Sequence, residues 1–262
     1  GKVIGIDLDI YSKGDNLEIE ELFSLFPAKQ REFFSSYKTE GEITYASTIK
    51  GELSIKKSPS FDAEFKINNG KIIEHSSKQS LTNLNVIGNF TNGKNKDNET
   101  SKLTLNQLEA DFGAGHITGN YVITNFKNPY IEFDSKANID IATAKAFFKL
   151  DTLETANGNL EIMLKYDGYV KELSNIKAAE LRKLNASGTA KLANASLKLI
   201  DNPVHAKNIN GSFKFNNNDV QIDTLNFDLN NSHIKLEGKL MNLLAFLFVD
   251  GEKLAAKTNF HA

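Results

Sequence analysis

The chain has no cysteine and no tryptophan, and only four prolines and two methionines. Without cysteine there is neither a disulfide framework nor a thiolate site. Arginine occurs only at Arg31 and Arg182, and acidic and basic residues are interspersed to a net charge of −2. Nucleic-acid readers lean on the guanidinium fork, which pairs bidentately with phosphate and guanine. So balanced a charge exerts little long-range pull on polyanions, and nucleic acid is not expected as a partner. No apolar run approaches the roughly 20 residues that a membrane-spanning helix needs.

Catalytic signatures are missing too. His75, His116, His205, His233 and His261 show no metal-ligand spacing of the HExxH kind. No serine stands in G-x-S-x-G. Gly113-Ala114-Gly115 has no helix N-terminus after it to hold phosphate and reads as a bend. Carboxylate pairs flanked by aromatic platforms, as a glycosidase needs, are absent. The expectation is a protein that is not an enzyme, with no metal and no cofactor.

What the sequence does have is alternation. In VQIDTLNFDLNNSHIKLEGKL (220–240), Leu225, Phe227 and Leu229 point one way and Asn226, Asp228 and Asn230 the other. A period of two marks a strand with one dry and one wet face, and such one-sided strands are antiparallel. LTLNQLEADFGAGHITGNY (103–121) echoes this stretch: Leu108 matches Leu225, and His116-Ile117 match His233-Ile234. Each copy reads as strand, bend, strand, bend, strand, so the architecture grows by adding similar hairpins. Both histidines precede a dry isoleucine and are expected to face water.

The remaining chain follows the same rule. Ile4 to Ile10 reads as a strand, with Asp15-Asn16 as capping chemistry for a short helix over Ile19–Phe26 and Pro27 as the first turn of a second over Ala28–Tyr37. Ile43, Tyr45, Ile49, Leu53 and Ile55 share one parity, which Gly51 interrupts. Asn69-Gly70 and Asn157-Gly158 read as turns. Asn92 to Thr100 reads as an exposed loop, Ala142–Phe148 as a helical turn, Ala178–Leu184 as a short helix, and Asn216–Asp219 as a tight turn. Pro59, Pro129 and Pro203 each stand just before a strand, where a missing N–H does least harm. Leu240 to Phe248 is the most apolar nonamer and reads as a buried helix or a membrane-surface one. No boundary is sharp enough for two domains. The reading is one elongated β-rich segment over 1–262, with a helical pair at 17–38, a strand-hairpin region at 42–240, and an apolar helix plus the start of a further strand at 241–262. Gly1 already stands in a strand-like pattern, so the expectation is a piece of a longer protein.

A dozen such strands present more apolar surface than water tolerates. The face can close into a sandwich or barrel, be covered by helices, or stay partly open around an apolar ligand. Its candidate lining residues are Ile131, Phe133, Ile139, Phe213, Phe215, Ile222, Phe227, Leu229, Ile234 and Leu236. They are expected to share a buried face, with no polar group among them for specificity.

The runs LNASGTAKLANASLKL (184–199) and NINGSFKFNNNDVQIDTLNFDLNNSHIKLEG (208–238) resemble the C-terminal part of AsmA-like proteins. NPYIEFDSKANIDIATAKAFF (128–148) resembles that family's strand running into a short crossover helix. The resemblance covers most of the chain from Glu42. It rests on the order and spacing of alternation with Gly and Asn punctuation. It implies a mainly β fold, a long antiparallel meander folded into a taco-like trough or groove with a few short helices. It also implies a periplasmic location, an inner-membrane anchor outside this sequence, and phospholipid as the partner in transfer toward the outer membrane. Other envelope proteins are further candidate partners. The alternative is a ligand-free structural β-module of the envelope, an adhesin or scaffold.

Overall fold

The computed structural model describes residues 5–20, 37–147, 153–169, 185–200, 205–229, 232–242, 245, 249 and 251–261. The fold is mainly β, an antiparallel meander with one helix among these residues. The strands are β1 (Ile6–Glu18), β2 (Tyr37–Leu53), β3 (Ser60–Glu74), β4 (Ser80–Thr91), β5 (Lys102–Phe112), β6 (Gly115–Thr124) and β7 (Tyr130–Asp140). Helix α1 (Ile141–Phe147) follows, then β8 (Leu153–Tyr169), β9 (Asn185–Leu199), β10 (His205–Asn216), β11 (Asp219–Leu229), β12 (Ser232–Met241) and β13 (Ala255–His261). Their order in the sheet is their order in the chain, so each strand hydrogen-bonds its sequence neighbours. Short turns suffice for such connections, as between β5 and β6 and between β10 and β11. Two compact units are distinguished. The first comprises 1–111 and 118–132, the second 112–117 and 133–262.

Alternation sets the faces in both. Along β7, Glu132, Asp134, Lys136 and Asn138 are exposed while Ile131, Phe133, Ala137 and Ile139 are half-buried. In unit 1 the dry face seals a core of Ile19, Ile43, Ile67, Leu84, Val86 and Ala110. In unit 2, Phe112 meets Phe147 of α1 edge-to-face at 5.0 Å, a favoured aromatic geometry.

A row of β-bulges crosses several strands of each unit. In unit 1, Asn69 and Asn83 take positive φ angles of 51° each where β3 and β4 shift register. Asn85 Oδ1 accepts from Asn69 N, Asn85 Nδ2 donates to Asn83 O, and Asn83 Nδ2 donates to Asp111 Oδ2. In unit 2 the same pattern recurs. Asn194 and Asn208 have φ of 51° and 52°, Asn210 Oδ1 accepts from Asn194 N, Asn210 Nδ2 donates to Asn208 O, and Asn208 Nδ2 donates to Asp228 Oδ2. Asparagine suits these places because its short amide tolerates the left-handed region and satisfies the backbone that a bulge leaves unpaired. Gly41 (φ 115°) and Gly158 (φ 108°) occupy corresponding places on β2 and β8, each facing a neighbouring backbone closely. The repeat is therefore larger than the hairpin echo: β2–β6 of the first unit and β8–β12 of the second share one plan.

The bulges overturn several local expectations. Asn69-Gly70 lies inside β3 and Asn157-Gly158 inside β8, so neither is a hairpin turn. The β3–β4 turn instead follows Glu74, and Ile72-Ile73 close β3 rather than opening a return strand. Asp15-Asn16 cap no helix; they form the bulge of β1, where Asn16 has φ 58°. Of the expected helical pair at 17–38, Leu17-Glu18 and Tyr37-Lys38 are strand and Ile19-Glu20 are helical, while 21–36 lie outside the described residues. Ile55 stands beyond β2 and is 92 % exposed. The 178–184 helix and Pro203 lie outside the described residues, as does most of 240–248; within that nonamer Leu240-Met241 end β12 and Ala245 is helical and buried.

Other expectations hold in whole or in part. The two echoed stretches are the β5–β6 and β11–β12 hairpins, two strands each and not three. The first expected bend is a bulge inside the strand, at Gln107 (φ 53°) and between Ile222 and Leu225. Gly113 turns at φ 60°, and Asn217 turns β10 into β11 at φ 57°. Ser60 and Tyr130, just after Pro59 and Pro129, open β3 and β7. The 92–100 segment is a loop, though a tightly bonded one: Asn92 binds Phe61 N and Pro59 O, and Asp97 Oδ1 accepts from Thr100 N.

Candidate functional site

The candidate surface is the dry face of unit 2, assembled by strand register. One row across the strands runs Leu164, Gly188, Phe215, Val220, Leu240. The next runs Ile162, Ala190, Phe213, Ile222, Gly238, and a third Leu160, Leu192, Gly211, Leu225, Leu236. Each row is apolar throughout. Phe227 lies opposite Ile234, and Leu229 opposite Ala206.

Seven of the ten predicted lining residues, Phe213, Phe215, Ile222, Phe227, Leu229, Ile234 and Leu236, thus share one face. The bulge between Ile222 and Leu225 is what puts even-numbered Ile222 beside odd-numbered Phe227. Phe133 stacks on Tyr166 of β8, with centroids 5.5 Å apart and planes at 28°. Ile139 has the parity of Phe133 along β7; Ile131 has it too, within the part of β7 that belongs to unit 1. The β8 row of Leu160, Ile162 and Leu164 was missed as lining, although its alternation was visible.

The ten are not equivalent. Ile222 is 1 % exposed and Ile234 8 %, so protein atoms already fill the space around them. The other eight are only half-buried. Tyr166 donates its phenol to Tyr169 O at 2.9 Å, and burial raises its pKa further above the phenolic range. No group titrating near neutral pH lies in the three rows.

The opposite face is polar. Cross-strand pairs Lys165–Asp134 (2.9 Å), Lys214–Asp223 (2.8 Å) and Lys239–Asp219 (2.8 Å) line it. Exposed pairs of this kind contribute roughly 0–1 kcal/mol each, so they set solubility rather than hold the fold. An open hollow of about 410 Å³ is lined by the polar side chains of Asn159, Glu161, Lys191, Asn210, Ser212 and Thr224 together with Leu192 and Ala193, a mixed surface. Both echoed histidines are exposed, and His233 Nδ1 meets Asp228 Oδ1 at 2.7 Å. No cluster of three or more metal-ligating side chains occurs among the described residues.

No family model, curated protein or solved structure matches the chain. Among the described residues, no helix is long and apolar enough to cross a membrane.

The dry face of unit 1 departs from the expectation of a face without polar groups. Ser12, Tyr45 and Ser47 all point to it, and Ser12 Oγ and Tyr45 Oη lie 3.0 Å apart. The signal was legible only with register in hand, because Ser47 keeps the parity of Ile43, Tyr45 and Ile49 without being apolar.

Proposed function

We propose that this chain is a non-enzymatic envelope protein whose dry sheet face holds phospholipid acyl chains and hands them across the periplasm, as the resemblance to AsmA-like proteins implies. The supporting observation is the half-exposed apolar face of unit 2, where Phe213, Phe215, Phe227, Leu229 and Leu236 share one face and the three rows across β8–β12 hold no ionisable group. Such a lining offers many equivalent contacts. Each buried CH₂ is worth about 0.8 kcal/mol wherever along it the chain lies, so a lipid slides instead of locking. The anchor in the inner membrane belongs to sequence outside these residues in this reading.

The competing reading, a ligand-free structural module, draws on the sealed core of unit 1. Native mass spectrometry of the purified protein, with Phe227→Asp beside it, separates the two. On the carrier reading the parent co-purifies with phospholipid, and the variant stays folded but empty, because its carboxylate remains hydrated at a half-exposed site. Lipid-free parent protein, with a variant that unfolds, refutes the carrier reading.

A further inference from the structure

The dry face of unit 1 carries a polar notch that neither alternation nor the acyl-carrier reading accounts for. Ser12, Ser47 and Ala63 face one another across β1, β2 and β3, and Phe90 of β4, packed against Phe61 at 5.7 Å, closes the row beyond Ala63. Larger side chains flank this row of small ones on both sides. Ile10, Ile49 and Phe61 form one ridge, and Tyr45 with Phe65 the other. Gly14 and Gly88 end the second ridge, and each leaves the space above it to a ring: a Cβ at Gly14 would collide with Tyr45, and one at Gly88 with Phe65. The notch floor is thus set by residue size and by rings laid over glycine.

Ser47 lies at that floor. It is only 8 % exposed, and its hydroxyl has no hydrogen-bond partner among the described residues. Buried hydroxyls are nearly always satisfied, so one left open calls for an explanation. Ser12 and Tyr45 share a single hydrogen bond. A hydroxyl has one donor and two acceptor sites, so that pair retains one free O–H and Ser47 another. Two O–H donors therefore sit between apolar ridges, with no carboxylate or amine in their rows among the described residues; Lys96 Nζ stands over Gly51, beyond the Ile10–Ile49 ridge. An anion would be left without a counter-charge there, whereas a neutral acceptor on an otherwise apolar molecule fits both the walls and the floor.

We propose that Ser47, with Ser12 and Tyr45, is a foothold for the ester carbonyl of an acyl lipid, holding the glycerol end while the acyl chains lie on the neighbouring apolar surface. This rests on the acyl-carrier reading and adds to it a preference for ester-linked lipid.

The test compares a diacyl phosphatidylcholine with its dialkyl ether analogue, which lacks both carbonyls, each titrated from detergent onto delipidated protein and followed by native mass spectrometry. The parent is expected to bind the diester about fivefold more tightly, the effect of roughly one neutral hydrogen bond. Ser47→Ala should bring the diester down to the ether's affinity and leave the ether unchanged. Its thermal midpoint should hold or rise, since the change removes an unsatisfied buried hydroxyl. Equal affinities in the parent, or a preference that survives Ser47→Ala, overturn the foothold and leave the carrier reading standing. Binding of neither lipid overturns both.

Discussion

Replacing Gly158 by alanine measures how firmly the bulge row holds the dry face of unit 2. Two costs stack at this position. Its φ of 108° lies where a side chain is strained, at roughly 1–3 kcal/mol. The added Cβ would also meet Ala195 Cα at 2.4 Å and Ala195 N at 2.8 Å, both backbone atoms that cannot swing aside. Forcing such a contact apart costs a further 1–3 kcal/mol or so. The sum, roughly 2–6 kcal/mol, is a large part of the ~5–15 kcal/mol that holds a typical domain. Gly251 supplies the control. Its φ is also positive, at 81°, but nothing lies within 4 Å of its hypothetical Cβ. Gly251→Ala should therefore show the backbone cost alone, about 1–2 kcal/mol. Thermal melts followed by circular dichroism should place Gly158→Ala well below Gly251→Ala. At the roughly 2–4 °C per kcal/mol expected for a chain of this size, the gap is on the order of 5 °C or more. Equal midpoints would refute the claim that β8 and β9 are held this closely at the bulge.

Further outcomes follow from other residues. Glu74 is 1 % exposed and accepts from Ser76 N at 3.0 Å and Ser77 N at 2.6 Å, closing the β3–β4 turn. Glu74→Ala should cost roughly 1–3 kcal/mol in urea unfolding and Glu74→Gln less, because one acceptor oxygen survives. The carboxyl of Asp228 is held below its ordinary pKa, first by the Asn208 amide and then by His233. A depressed folded pKa stabilises above the unfolded value, near 3.9, and that contribution is lost as pH falls through the folded one. Asp228→Asn should therefore flatten the acid limb of the stability–pH curve below about pH 4 and leave its neutral limb unchanged in slope. At Asn83 and Asn208, glycine should be tolerated better than valine by equal margins in the two units, since both positions need positive φ; unequal margins in melts of the four variants would argue against a shared plan.

Much of the fold was legible because a period of two needs only the sequence. Ile131 to Ile139 announce their faces letter by letter, and the structure exposes the even-numbered positions 132 to 138 accordingly. In Leu225 to Leu229 the register keeps the apolar residues on one face, but Asn226 and Asp228 are half-buried instead of exposed. The two misplaced turns share one physical cause. Asn69-Gly70 and Asn157-Gly158 read as turns because positive φ is what a tight hairpin demands, but a bulge inside a long strand demands it equally. Hence β3 runs through Asn69-Gly70 and β8 through Asn157-Gly158, and both strands are longer than the punctuation implied. A usable signal was present in the paired NLN (83–85) and NIN (208–210), each holding a buried aliphatic between two asparagines.

The candidate site shows a different limit. Parity finds a dry face but cannot weigh its members. Ile222 and Phe227 look alike in sequence, and the structure seals one and leaves the other half-open. Ser47 is the converse case, a polar letter whose parity puts it on the dry side although its chemistry argues for the wet one. Register is a property of pairs of strands, so the features that separate an acyl-binding face from a filled core arise where two distant segments meet. The Asn ladders belong to the same class: Asn83 finds Asp111 and Asn208 finds Asp228 only after the bulges have brought those strands into step. If the dry face carries lipid, the bulge rows decide which side chains present themselves to it. Strain at Gly158 and affinity at Phe227 are then two readouts of one geometry.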